Sequence, residues 1–222
     1  MSWHGRLMVL AWGVLLPLGV LIARFLKITP RQDWPRQLDS QTWWYGHQIL
    51  QYGGGIAMLA ALWLILQTPD DGAVAETHRA LGWTVIGLAS LQYLAGWFRG
   101  TKGGPTDPAP DGSLAGDHYD MTLRRRVFEY FHKSAGYALL LVALASVVSG
   151  MWRANAPHWM WVGLGVWWSA LVGAFIILQR RGLAIDTYQA IWGPEPLHPG
   201  NTMKPIGLGV RRRDDSAERR TP

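Results

Sequence analysis

Residues 43–67 read WWYGHQILQYGGGIAMLAALWLILQ. These 25 residues carry no formal charge, and an α-helix needs only roughly 20 to cross a hydrocarbon core of about 30 Å. Two tryptophans open the run, as at a membrane interface. One turn later comes His47, followed by Gln48, Gln51 and Tyr52. An imidazole at such depth is costly unless something binds it.

The same pattern recurs along the chain. Apolar runs of spanning length fall at about 4–26, 43–67, 78–98, 129–152 and 157–179. Trp3, Trp97, Trp152 and Trp159 join Trp43 and Trp44 near their ends, as an aromatic belt does. Buried helices of a soluble protein would keep a polar face, and these runs leave almost none. The first run is long for a secretory leader, lacks a small-residue cleavage site and has Arg6 as its only early cation, so it reads as a span. The expectation is an all-α polytopic membrane protein with five transmembrane helices, four forming a core and one added to it.

Charge gives the direction. The 222 residues carry a formal charge of +6, crowded between the apolar runs in a membrane pattern and not a nucleic-acid one. Four cations lie in 24–42, five in 99–128 and eight in 180–222, which makes 17 of 21 on one side. Arg6, Arg79 and Arg153 lie on the other, and Lys133 lies within a span. The positive-inside rule then places the N-terminus outside and the C-terminus in the cytoplasm, in a cell inner membrane. A membrane domain over 1–180 and a cytoplasmic tail over 181–222 follow. In that tail DTYQAIWGPEPLHPGNTMKPIGLG has the aromatics and prolines of a packing segment, and the charged stretch 210–222 reads as disordered. Gly, Pro and Asp make 100–126 a loop with little regular structure.

There is no cysteine, so thiolate metal sites, iron–sulfur clusters and covalently attached heme are excluded. Histidine is the remaining strong ligand. His118, His158 and His198 fall in loops or at interfaces and read as surface polarity. His4, His47, His78 and His132 fall one to each of the first four spans, each close to the start of its helix. One such residue is ordinary packing; four in this arrangement point to function. Successive spans run in opposite directions, so His4 and His78 share one level and His47 and His132 the other. Two imidazoles on facing helices are what a non-covalent b-type heme takes as axial ligands, and two pairs imply two hemes. A flat ring needs small neighbours, and Gly82 and Gly136 follow His78 and His132 by four residues. HRALGW at 78–83 also repeats as HKSAGY at 132–137, with Gly96 and Gly150 each 18 residues after the histidine. Arg79 and Lys133 in this repeat are candidates to pair with heme propionates or an anionic donor, or else are cations snorkelling from helix ends.

HGRLMVLAWGVLLPLGVLIAR at 4–24, the histidine heading each of the next three spans, and YQAIWGPEPLHPGN at 188–201 resemble the cytochrome b-561 family, in its bacterial and DOMON-associated form. The resemblance runs from His4 to about Leu178. It implies four core helices holding two b hemes, with ligand pairs His4/His78 and His47/His132, and electron transfer across the membrane from ascorbate or another reductant. The chain departs in having five spans where many animal and plant members have six. The reading is therefore a transmembrane electron-transfer oxidoreductase in contact with lipid. Its donor and acceptor are open, with a quinone or a redox protein among the candidates, and there is no nucleic-acid role. Two alternatives stand beside it: a heme-bearing subunit of a larger redox assembly, and a transporter relaying protons or a metal ion through its histidines. Glu129 is the only acid within the spans, which disfavours the transporter.

Overall fold

A computed structural model describes residues 2–68, 76–101 and 103–213. It is helical, and among the described residues no strand forms beyond an isolated bridge between Ile185 and Arg211. Five long helices follow in order: α1 (Trp3–Phe25), α2 (Gln41–Leu66), α3 (Glu76–Trp97), α4 (Leu123–Arg153) and α5 (His158–Arg180). A short α6 (Thr187–Trp192) closes the C-terminal segment. All except α3 are long and apolar enough to cross a membrane. α3 has the length, but Glu76, Arg79, Thr84, Ser90 and Gln92 dilute its apolar character.

Helices α1 to α4 pack α1 on α2 and α3 on α4, and α5 lies against the outside of α1. Trp12, Leu16, Met58, Val85, Leu139 and Val147 fill the middle of this bundle. Its outer face is apolar too: Ile49, Ile56, Trp63, Leu141 and Val166 are all exposed, and α5 buries no residue at all. Exposed apolar surface on this scale belongs in lipid.

Local chemistry explains the attachment of α5. Pro17 lacks the N–H that would bond the Gly13 carbonyl four residues earlier, and α1 passes through a π-helical stretch over Val9–Leu15. The freed Gly13 carbonyl accepts instead from Trp167 Nε1 at 2.9 Å and Trp168 Nε1 at 3.1 Å on α5. Gly54 serves the α1–α2 contact, because a Cβ there would lie 2.7 Å from Leu16.

Residues 98–122 form the loop between α3 and α4 without a helix among the described residues. The segment after α5 turns back over the same end of the bundle. Trp43, Met121, Tyr188, Ile191, Trp192 and Ile206 make a second core there. Its backbone is held by cations of the bundle: Lys27 donates to the Ile185 carbonyl (3.1 Å), Lys133 to that of Ile206 (2.8 Å), and Arg24 to that of Leu208. Of the stretch 210–222, expected to be disordered, residues 210–213 are placed, with Arg211 bridged to Ile185. Residues 214–222 lie outside the described residues.

Candidate functional site

Three of the four span histidines fix their proton through a neighbouring helix. His4 Nδ1 donates to the Ala61 carbonyl at 2.9 Å, and His47 Nδ1 to the Gly19 carbonyl at 3.1 Å. His78 Nδ1 lies 3.0 Å from Ser149 Oγ, whose own proton goes to the Ser146 carbonyl at 2.9 Å. A carbonyl can only accept, and the Ser149 hydroxyl proton is already engaged, so in each case Nδ1 carries the hydrogen. Nε2 is left with its lone pair, the form in which imidazole binds a metal. The fourth, His132, keeps a buried Nδ1 without a partner, while its backbone carbonyl accepts from Gln92 Nε2 at 3.2 Å.

These contacts set the levels. His4 and His78 meet the far ends of α2 and α4, at Ala61 and Ser149. His47 and His132 meet the far ends of α1 and α3, at Gly19 and Gln92. Along each helix the two levels are 14 to 17 residues apart, roughly 21–26 Å at 1.5 Å per residue. Alternating helix direction requires this arrangement.

At the second level the two imidazoles face each other, with ring centres 6.4 Å apart and planes at 83°. A metal–nitrogen bond is roughly 2 Å, and a ring centre lies roughly 1 Å beyond its nitrogen. Two imidazoles on opposite sides of one metal therefore place their centres about 6 Å apart. The pair opens on a cleft lined by Gln48, Gln51, Tyr52, Tyr93 and Gly136 among others. Among the described residues no three His, Asp or Glu side chains gather as a metal-ion site. A group that brings its own equatorial ligands fits this donor set; a bare ion held by protein alone does not.

The remaining candidates separate. Gly136 lines the cleft, and Gly82 has no neighbour within 4 Å of where its Cβ would stand. The glycine that makes room for His78 is Gly150 on α4, where a Cβ would lie 2.8 Å from the His78 ring. Lys133 lines the cleft but its ammonium is engaged, 2.6 Å from Glu129 and 2.8 Å from the Ile206 carbonyl. Arg79 stands beside His78 at the exposed start of α3.

Four cations that sequence reading counted only as inside charges also line this cleft: Arg24, Lys27, Arg99 and Arg125. All four are buried. Burial, with Lys133 nearby, pushes the Lys27 amine down to about 7. Burial beside Arg125 pulls the Arg99 guanidinium down to about 10. No local signal marks them, because burial here depends on the loop and the C-terminal segment folding over the bundle. His118 is a further correction. Expected at the surface, it is 1% exposed and stacked at 6.0 Å on Tyr188, since the 98–122 loop tucks beneath α6.

No protein-family model matches the chain, and no solved structure matches it. Curated proteins do. A cytochrome b561, DM13 and DOMON domain-containing protein of Arabidopsis thaliana is 30% identical over 67% of this chain and 14% of its own length. A cytochrome b561 and DOMON domain-containing protein of the same plant is 26% identical over 84% of this chain and 42% of its own. Ferric-chelate reductase 1 of Mus musculus is 31% identical over 67% of this chain and 22% of its own. The chain thus spans less than half the length of these relatives.

Proposed function

The chain belongs to the cytochrome b561 family, and from that premise we propose that it is a di-heme b-type cytochrome passing electrons across the membrane. His47 and His132 would hold one heme and His4 and His78 the other. The observation that carries the reading is the 6.4 Å separation of the His47 and His132 ring centres across a cleft. Heme b supplies one-electron exchange between ferrous and ferric iron.

The chain's own residues orient the ligands and shape the path. The Ala61 and Gly19 carbonyls and the Ser149 hydroxyl lock three rings with Nε2 presented, and such bonds raise ligand basicity. Between the two levels Trp12, Leu16, Met58, Val85, Ala89 and Leu139 exclude water. The four-helix core holds the two sites at fixed separation. Ligand pairs at opposite ends of the bundle suit transfer from an outer donor toward an inner acceptor, with the N-terminus outside and the C-terminus in the cytoplasm. The relative named a ferric-chelate reductase makes a chelated ferric ion the first acceptor to assay.

The test is optical. Purified protein should show a b-type α-band on reduction and two hemes per chain. His47→Ala should remove one heme and His78→Ala the other, leaving about half the absorbance in each. If both substitutions abolish the same heme, the pairing is wrong; a protein that purifies without heme sinks the reading altogether.

A further inference from the structure

The inner cleft contains buried positive charge that its own acids do not satisfy. Glu129 is engaged twice, by Arg125 Nε at 3.0 Å and by Lys133 Nζ at 2.6 Å. That leaves Arg125 Nη1 and Arg99 Nη2, both buried and both without a hydrogen-bond partner. A buried guanidinium with an idle N–H costs free energy unless an acceptor reaches it.

The two arginines are placed alike. Arg99 lies over the Trp44 ring at 4.1 Å, and Trp44 precedes His47 by three residues. Arg125 lies over the Phe128 ring at 5.0 Å, and Phe128 stacks at 5.1 Å on the His132 ring. Phe128 thus lies between Arg125 and the His132 ring, while Arg99 covers the indole one helical turn before His47. Both arginines line the cleft, with Arg99 7% and Arg125 3% exposed. A soluble anion has little access to groups so deep; an anion carried on a molecule filling the cleft arrives in place.

We propose that Arg99 and Arg125 form a two-point carboxylate site that anchors the two propionates of the inner heme. The assignment rests on the di-heme reading and specifies which residues of this chain meet the cofactor's acidic edge. Arginine suits the task, since its planar fork matches a carboxylate. Lys133, the cation next to the ligand in sequence, already has its ammonium engaged by Glu129, Thr187 and the Ile206 carbonyl.

The test compares protoheme with its dimethyl ester, which keeps the ring and iron but loses both carboxylate charges. It uses the full chain with His78→Ala, so that only the inner site is filled. Apo-protein should bind protoheme about tenfold or more tighter than the ester, as expected for charge-assisted bonds. Arg99→Gln and Arg125→Gln should each shrink that preference, and Arg99→Lys should restore part of it. Circular dichroism of each apo-variant checks that the helices persist, and the ratio of the two affinities cancels any general loss of binding. An unchanged ratio in both glutamine variants overturns the proposal while leaving the di-heme reading intact. So does an unchanged ratio with a raised half-saturation for ascorbate, which would assign the cations to a soluble anion. Failure of the His78→Ala chain to bind either ring would overturn the di-heme reading and this assignment together.

Discussion

His118 is a buried side chain whose two ring nitrogens both lack a partner. It stacks on Tyr188, leans on Trp192 at 6.3 Å, and lies beneath Gly103, where a Cβ would sit 3.2 Å from the ring. Burial, and then the Arg125 charge, push its pKa from 6.5 down to about 3. The folded chain therefore refuses a proton that the unfolded chain accepts. Stability is complete above the unfolded value of 6.5 and is lost as pH falls from there toward about 3, by up to about 1.4 kcal/mol per pH unit. His118→Phe keeps the stack and removes the proton site, so its thermal midpoint should fall less steeply between pH 6.5 and 4.5 than that of the unchanged protein. Equal slopes would show that His118 does not set the acid limit. This residue also shows where sequence reading fails. The span histidines were legible because helical periodicity and alternating direction fix their depth without any tertiary knowledge. The burial of His118 depends on Tyr188, seventy residues later, and nothing local announces that.

Between helices, small residues decide which rings fit. The repeat HRALGW/HKSAGY drew attention to Gly82 and Gly136, four residues beyond their own histidines. The contact that matters for His78 comes from the opposite helix, at Gly150, because a ring projecting from α3 meets α4 and not its own next turn. Gly150 was visible as a member of the repeat, but its role depends on the register of α3 against α4, which spacing alone leaves open. Gly150→Ala places a methyl carbon 2.8 Å from the His78 ring, closer than van der Waals contact allows, and the ring must turn away from Ser149. Alanine favours a helix over glycine by about 1 kcal/mol, so any loss traces to the ring and not to an unravelled α4. The outer heme should bind weakly or with an altered spectrum, and the inner heme should be retained. Full loading of both hemes with unshifted outer potential would show that the close approach is incidental. The same register logic explains α5: Pro17 was legible as a residue without an N–H, but that the two indoles answering Gly13 belong to α5 was not.

For the molecule as a whole, the arrangement in the membrane rests on charge, and the structure changes how that charge is counted. Of the 17 cations assigned to the inner side, Arg24, Lys27, Arg99 and Arg125 are buried in or beside the cleft. They line the cleft, and Arg24 and Lys27 also hold the C-terminal segment, so they can be left out of the count. Thirteen then remain against three on the other side, Arg6, Arg79 and Arg153. The bias survives the discount, and Arg31, Arg36, Arg124, Arg126, Arg180 and Arg181 alone, in short loops or at helix ends where the positive-inside rule acts, outnumber those three. The C-terminal segment adds an independent constraint. Lys27, Lys133 and Arg24 hold its backbone against the His47/His132 end of the bundle, so the two must share a compartment. A reporter fused after Pro222 should therefore be active in the cytoplasm, and one inserted between α2 and α3, after Thr68, should be active outside. Replacing Arg180, Arg181 and Arg211 by glutamine should weaken this orientation without reversing it, because ten inner cations remain even after the discount. A C-terminal reporter active outside the cell would invert the molecule, placing the His47/His132 heme at the outer face and reversing the direction proposed for electron flow.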